Sequence, residues 1–121
     1  MKILIIDDEN DIRRIARLAL SKVGKMDVIE ASNGTEGLQK AELEQPDVIL
    51  LDVMMPLLDG PSTLATLQSN NTTEHIPVIF LTAKAMPSEL VRLRSLGVKG
   101  VLTKPFDPMT LATQIKDLLS K

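Results

Sequence analysis

No cysteine, tryptophan or tyrosine occurs in this chain, and phenylalanine occurs only at Phe80 and Phe106. Without cysteine there is no disulfide framework and no thiolate metal site. The single histidine, His75, rules out a multi-histidine zinc centre within the chain. It follows the polar stretch Ser69-Asn70-Asn71-Thr72-Thr73-Glu74 and reads as a solvated loop residue. Two aromatics are too few for base stacking, a flavin sandwich or a sugar platform. Neither sign of charge dominates: 14 Lys+Arg stand against 16 Asp+Glu, a formal net charge of −2. With no strong basic cluster, nucleic acid is not the expected direct partner. Arg13, Arg14 and Arg17 form only a short patch that reads as a solvated helix face. No apolar run approaches the roughly 18 residues that cross a bilayer. The opening Met1-Lys2-Ile3-Leu4-Ile5-Ile6-Asp7-Asp8 has too short an apolar stretch for a signal peptide. A cytoplasmic location without membrane contact is expected.

What is present is the balance of a globular domain: 44% hydrophobic and 25% charged residues over 121 positions. One domain over 1–121 with no output domain is expected. Short apolar runs at Ile3–Ile6, Asp27–Ala31, Val48–Leu51, Val78–Leu81 and Val101–Thr103 alternate with segments of helical period at 10–22, 34–44, 61–70, 87–95 and 108–120. Five βα units in series predict an α/β fold with a doubly wound parallel sheet. The first, third and fourth runs are continuously apolar, as strands covered on both faces must be. The second is broken by charge and the fifth is short, so both belong at edges. The flavodoxin-like order 2-1-3-4-5 satisfies this. Asp107-Pro108 reads as an N-cap and first helical residue, followed by the stripe Leu111, Ile115, Leu118 and Leu119. Ile12, Ile15, Ala16 and Ala19 form the corresponding stripe of the first helix.

In a parallel sheet every strand ends on the same edge, and ligands bind there. The first strand runs into Asp7-Asp8, the third into Asp52, the fourth into Thr82 and the fifth into Lys104. Three carboxylates crowded on neighbouring strands repel one another unless a cation intervenes. An all-oxygen donor set favours a hard cation, Mg²⁺ before Ca²⁺. A hydroxyl and an ammonium on the same rim suit a phosphoryl group. Asp52, flanked by the Asp pair on one side and by Thr82 and Lys104 on the other, is the candidate nucleophile.

These residues, taken as Asp7-Asp8-Glu9, Asp52-Val53-Met54-Met55-Pro56 with Asp59-Gly60, Thr82-Ala83 and Lys104-Pro105-Phe106, resemble the receiver domain of two-component response regulators. The resemblance runs the length of the chain, in order and at matching spacing. It implies phosphoryl transfer from a phosphohistidine of a sensor histidine kinase, or of a histidine phosphotransfer protein, onto Asp52. It implies Mg²⁺ held by the Asp7/Asp8 pair (one or both), Asp52 and the backbone carbonyl of Met54. Thr82 would move toward the phosphoryl group, Lys104 would bond it, and Pro105 would follow a cis peptide bond. The implied output surface for a downstream protein is 87–120, with a monomer or a phosphorylation-promoted dimer as the assembly.

Two departures from the family pattern matter. Val101 stands where an aromatic usually reports the phosphorylated state. The positions that tune aspartyl-phosphate hydrolysis hold Met54, which cannot orient water by hydrogen bonding, and Lys84, which can reach a phosphoryl oxygen. A long-lived phosphorylated state follows as an expectation. The chain is expected to be a signalling phosphoacceptor rather than a turnover enzyme. A hydrolase of the haloacid dehalogenase type needs a second Asp two residues after the nucleophile, where Met54 stands. A flavin or nucleotide module needs a glycine-rich loop after the first strand, where Asp8-Glu9-Asn10 stands. The remaining alternative is a phosphorylation-independent interaction module on the same fold.

Overall fold

Each apolar run is followed by a helix that returns the chain to the starting edge, so the strands pair in parallel. The computed structural model describes residues 1–121. The strands are β1 (Lys2–Ile6), β2 (Asp27–Ala31), β3 (Val48–Asp52), β4 (Val78–Thr82) and β5 (Gly100–Thr103). The helices are α1 (Asn10–Leu18), α2 (Gly34–Glu44), α3 (Gly60–Ser69), α4 (Pro87–Arg94) and α5 (Leu111–Leu119). The sheet order is β2-β1-β3-β4-β5, all parallel. The interrupted and short runs therefore lie at the edges, as their composition predicts.

Side chains alternate across the sheet, which gives two cores. Ile3, Ile5, Leu50 and Ile79 face Ala16, Leu20 and Ile115 of the α1–α5 layer. Leu4, Ile6, Leu51 and Phe80 face Leu64, Leu67 and Leu93 of the other layer. Every residue of β3 and β4 is buried, including the terminal Asp52 and Thr82. Register sets the site: Asp52 pairs with Leu81, and Thr82 with Thr103, so Asp52, Thr82 and Lys104 reach one edge together.

Several local expectations need correction. α1 does not run evenly to residue 22: after Leu18 the chain widens into a π turn, Ala19–Val23. That turn buries Ala19 and Leu20, while Ile15, expected on the inner stripe, is 42% exposed. The last helix begins at Leu111, not at 108, and Thr110 precedes it without a side-chain cap. Asp107 is occupied otherwise. Its Oδ1 accepts from Met109 N–H at 2.9 Å and its carbonyl from Thr110 and Leu111, which holds 108–110 in a turn. Effective caps belong to α2, where Asn33 Oδ1 accepts from Glu36 N–H at 2.8 Å, and to α3, where Asp59 Oδ1 accepts from Ser62 N–H at 2.8 Å with Pro61 in the first turn.

Candidate phosphoryl-transfer site

The site is assembled from strand ends. Asp7 continues the β1–β2 pairing, its N–H donating to Ala31 O at 3.1 Å, and is 1% exposed. Its Oδ1 accepts from Glu9 N–H at 2.9 Å, which closes the turn into α1. Asp52, 2% exposed, ends β3 and accepts a long bond from Met54 N–H at 3.4 Å. Lys104 leaves β5 with its N–H on Thr82 O at 2.8 Å, and its peptide bond to Pro105 is cis. The Lys104 ammonium then reaches across the rim to Asp7 Oδ2 at 3.0 Å, Asp52 Oδ1 at 3.3 Å and Glu9 Oε1 at 2.9 Å.

One ammonium does not balance this pocket. Oxygens of Asp7, Asp8, Glu9 and Asp52 lie within 4.8 Å of one another. Asp52 Oδ2 is buried without a hydrogen-bond partner, and Asp7 Oδ2 has only the ionic contact with Lys104. Such orphaned carboxylate oxygens are costly when charged. Burial, followed by repulsion from Asp7, accordingly pushes the Asp52 carboxyl up to about 7, against the opposing pull of Lys104 and Met54 N–H. Burial works against the Lys104 ammonium too. The bonds to Glu9 and Asp7 and the attraction of Asp7 and Asp52 outweigh it and hold Lys104 above the ordinary lysine range. Hard oxygens, an uncompensated negative charge and orphaned lone pairs fit a divalent cation such as Mg²⁺. Asp7, Asp8 and Asp52 are the residues that could hold it.

The other expected residues surround this cluster without joining it. Thr82 is fully buried, and its Oγ1 accepts from Lys84 N–H at 3.0 Å rather than touching Asp52. Lys84 is exposed at the mouth of an open groove of about 620 Å³, bordered also by Met54, Pro56, Asp59 and Arg92. The Met54–Met55 pair, expected to anchor the loop, divides: Met55 is buried, whereas Met54 is 58% exposed beside the site. Val101 is half-buried against the core on the Phe80 side of the sheet.

Residues 3–116 match the family model of the response regulator receiver domain. The chain belongs to the response regulator receiver family. It is similar to the alkaline phosphatase synthesis transcriptional regulatory protein PhoP of Bacillus subtilis, 40% identical over 99% of this chain and 49% of PhoP. It is equally similar to protein PilG of Pseudomonas aeruginosa, 40% identical over 96% of this chain and 85% of PilG. The chemotaxis protein CheY4 of Vibrio cholerae superposes with a TM-score of 0.88 at 31% identity, over 97% of each chain. The chain spans about half the length of PhoP and of the ycf27 regulator of Cyanophora paradoxa. No helix of this receiver is long and apolar enough to cross a membrane.

Two residues in contact with this cluster escape a reading of strand ends. Glu9 lies one residue beyond the expected acidic pair and meets Lys104 across 95 positions of sequence. Arg13, expected on a solvated face, is only 14% exposed in its side chain and donates to Asp7 O at 2.7 Å. Glu9 directly follows the pair and could have been found as a third carboxylate there. Arg13 has no signal beyond its position one turn into α1.

Proposed function

We propose that Asp52 is the phosphoacceptor of this receiver, taking a phosphoryl group from a phosphohistidine of a sensor kinase or phosphotransfer protein. The observation that carries this reading is the buried, partnerless Asp52 Oδ2 beside the Lys104 ammonium. A carboxylate oxygen with no donor is free to attack, and a fixed ammonium stands ready for the charge that arrives. In the transfer an Asp52 oxygen forms the O–P bond as the donor's N–P bond breaks. The electron pair goes to the donor imidazole nitrogen, which takes up a proton. Lys104, already 3.3 Å from Asp52 Oδ1, neutralises a phosphoryl oxygen without moving far. Thr82 Oγ1 exchanges its bond with the Lys84 backbone for another phosphoryl oxygen. Mg²⁺ held by Asp7, Asp8, Asp52 and the Met54 carbonyl would supply the remaining positive charge at the phosphoryl oxygens.

The protein acts as a cytoplasmic signalling phosphoacceptor, not as a turnover enzyme. Its downstream partner engages the face formed by 87–120, with Val101 and Pro105 in the path between site and face. Nothing at the site favours the phosphorylation-independent alternative, since every charged group of the chemistry is present. Incubation with acetyl phosphate and Mg²⁺, followed by intact-mass spectrometry, tests the reading. Gain of one phosphoryl mass that needs Mg²⁺ is expected; a folded protein that gains none under either condition contradicts it. Met54→Ala and Lys84→Ala, made singly, should each shorten the lifetime of the phosphorylated form measured by the same method, and unchanged decay would refute their role.

A further inference from the structure

Every group within reach of the Lys104 ammonium is already assigned to the site, so the unassigned chemistry lies one layer behind it, at Arg13. This residue is not paired as a surface arginine would be. Its Nη1 donates to the carbonyl of Asp7 at 2.7 Å, its Nη2 to Asn10 Oδ1, and its Nε lies 3.3 Å from Glu30 Oε1 on β2. Three elements therefore converge on one guanidinium: the end of β1, the first turn of α1 and the edge strand β2. Glu30 is itself fixed, its Oε2 accepting from Arg17 Nη1 at 2.7 Å and its carbonyl from Lys40 Nζ at 2.5 Å.

The consequence falls on Asp7. Its N–H is tied to Ala31 O and its carbonyl to Arg13, so the peptide groups on both sides of its Cα are pinned. The Asp7 carboxylate faces the pocket from this pinned backbone, with Asp8 one residue further along the same turn. Freed from Arg13, the carbonyl of Asp7 would lose its partner and the 7–8 peptide group could rotate, carrying Asp8 and the Glu9 N–H that holds Asp7 Oδ1 out of register with Asp52. We infer that Arg13 is a positioning residue that sets the geometry of the cation pocket through the Asp7 carbonyl. The inference rests on the reading of Asp7, Asp8 and Asp52 as the cation site.

Charge alone makes the opposite demand. A guanidinium near a cluster of carboxylates repels a divalent cation, so a purely electrostatic Arg13 would weaken binding and its removal would tighten it. A positioning Arg13 does the reverse. The planar fork also matters, because a lysine ammonium retains the charge but cannot span Asp7, Asn10 and Glu30 together.

Isothermal calorimetry of Mg²⁺ binding separates these cases, with urea unfolding of each metal-free variant measured in parallel. Arg13→Ala is expected to weaken Mg²⁺ about tenfold, a typical effect of removing a group behind a metal ligand. Arg13→Lys should weaken it nearly as much. Arg17→Ala, which takes a partner from Glu30 but leaves the Asp7 carbonyl bonded, should leave the Mg²⁺ affinity unchanged. Equal or tighter binding by Arg13→Ala, or full rescue by Arg13→Lys, would overturn the positioning role, whatever the urea midpoints. Wild-type protein that binds no Mg²⁺ would overturn the cation-site reading itself, and the inference with it.

Discussion

Asp52 illustrates how much a single residue can reveal. An aspartate that closes an apolar strand directly is a sequence-level anomaly, because burial penalises its charge. Its environment turns that anomaly into a measurable instability. In the metal-free fold the carboxyl is raised from 3.8 to about 7. Between those values the native state holds more protons than the unfolded chain, so this group's contribution to stability falls as pH rises through about 7. Urea titrations of the metal-free protein should show that decline between about pH 4 and 7 and a plateau above it, and saturating Mg²⁺ should flatten it. Asp52→Asn removes the buried charge and should stabilise the metal-free protein at pH 8 by about 2 kcal/mol, visible as a raised melting temperature. A destabilised Asp52→Asn would mean that Lys104 and the backbone already compensate the charge. Lys104 was as legible as Asp52, since both end strands of one sheet edge. Glu9 was legible only as a third carboxylate after the pair, not as a partner of Lys104 95 positions away, and Arg13 was not legible at all, because Glu30 on the neighbouring strand is brought to it only by the folded sheet.

At the scale of elements, strand identity was readable and helix ends were less so. Apolar runs fix a strand to within a residue, whereas a helix start depends on which side-chain oxygen wins the free N–H groups. Asp107 shows the competition: its carboxylate serves Met109 and a tight turn, which delays α5 to Leu111. Asp59 wins its cap outright, and Asp59→Ala should cost about 1 kcal/mol in denaturant unfolding; Asp107→Ala should cost less. The loop that carries Asp52 into α3 is also constrained by Gly60, where a Cβ would lie 2.5 Å from Asp52 O and 2.7 Å from Val53 Cα. Those are backbone atoms that cannot step aside. Gly60→Ala should therefore destabilise by about 2 kcal/mol or more and slow phosphorylation as well, through displacement of the Asp52 segment. Within the same loop Leu57 is fully exposed at φ +68, a conformation that suits glycine. Leu57→Gly should raise stability by about 0.5–1 kcal/mol, and a lowered unfolding midpoint would contradict that account.

For the molecule as a whole, topology was the most legible feature. Charge in the second run and brevity in the fifth placed them at edges, and a parallel sheet then left few orders to choose from. The π turn after Leu18 could not be read in advance, because its cause is packing: it brings Leu20 into the core against α5. Phe80, fully buried at the centre of one core, should cost about 3–5 kcal/mol as Phe80→Ala. What the fold exists to do, on this account, is hold one buried carboxylate ready for a phosphoryl group. Borohydride reduction of the acetyl-phosphate-treated protein, followed by peptide mass mapping, addresses that claim at its centre. Reduction of an aspartyl phosphate leaves homoserine, and the account predicts homoserine at position 52 alone, dependent on Mg²⁺. Homoserine at Asp7, Asp8 or any other carboxylate, with position 52 unmodified, would contradict it.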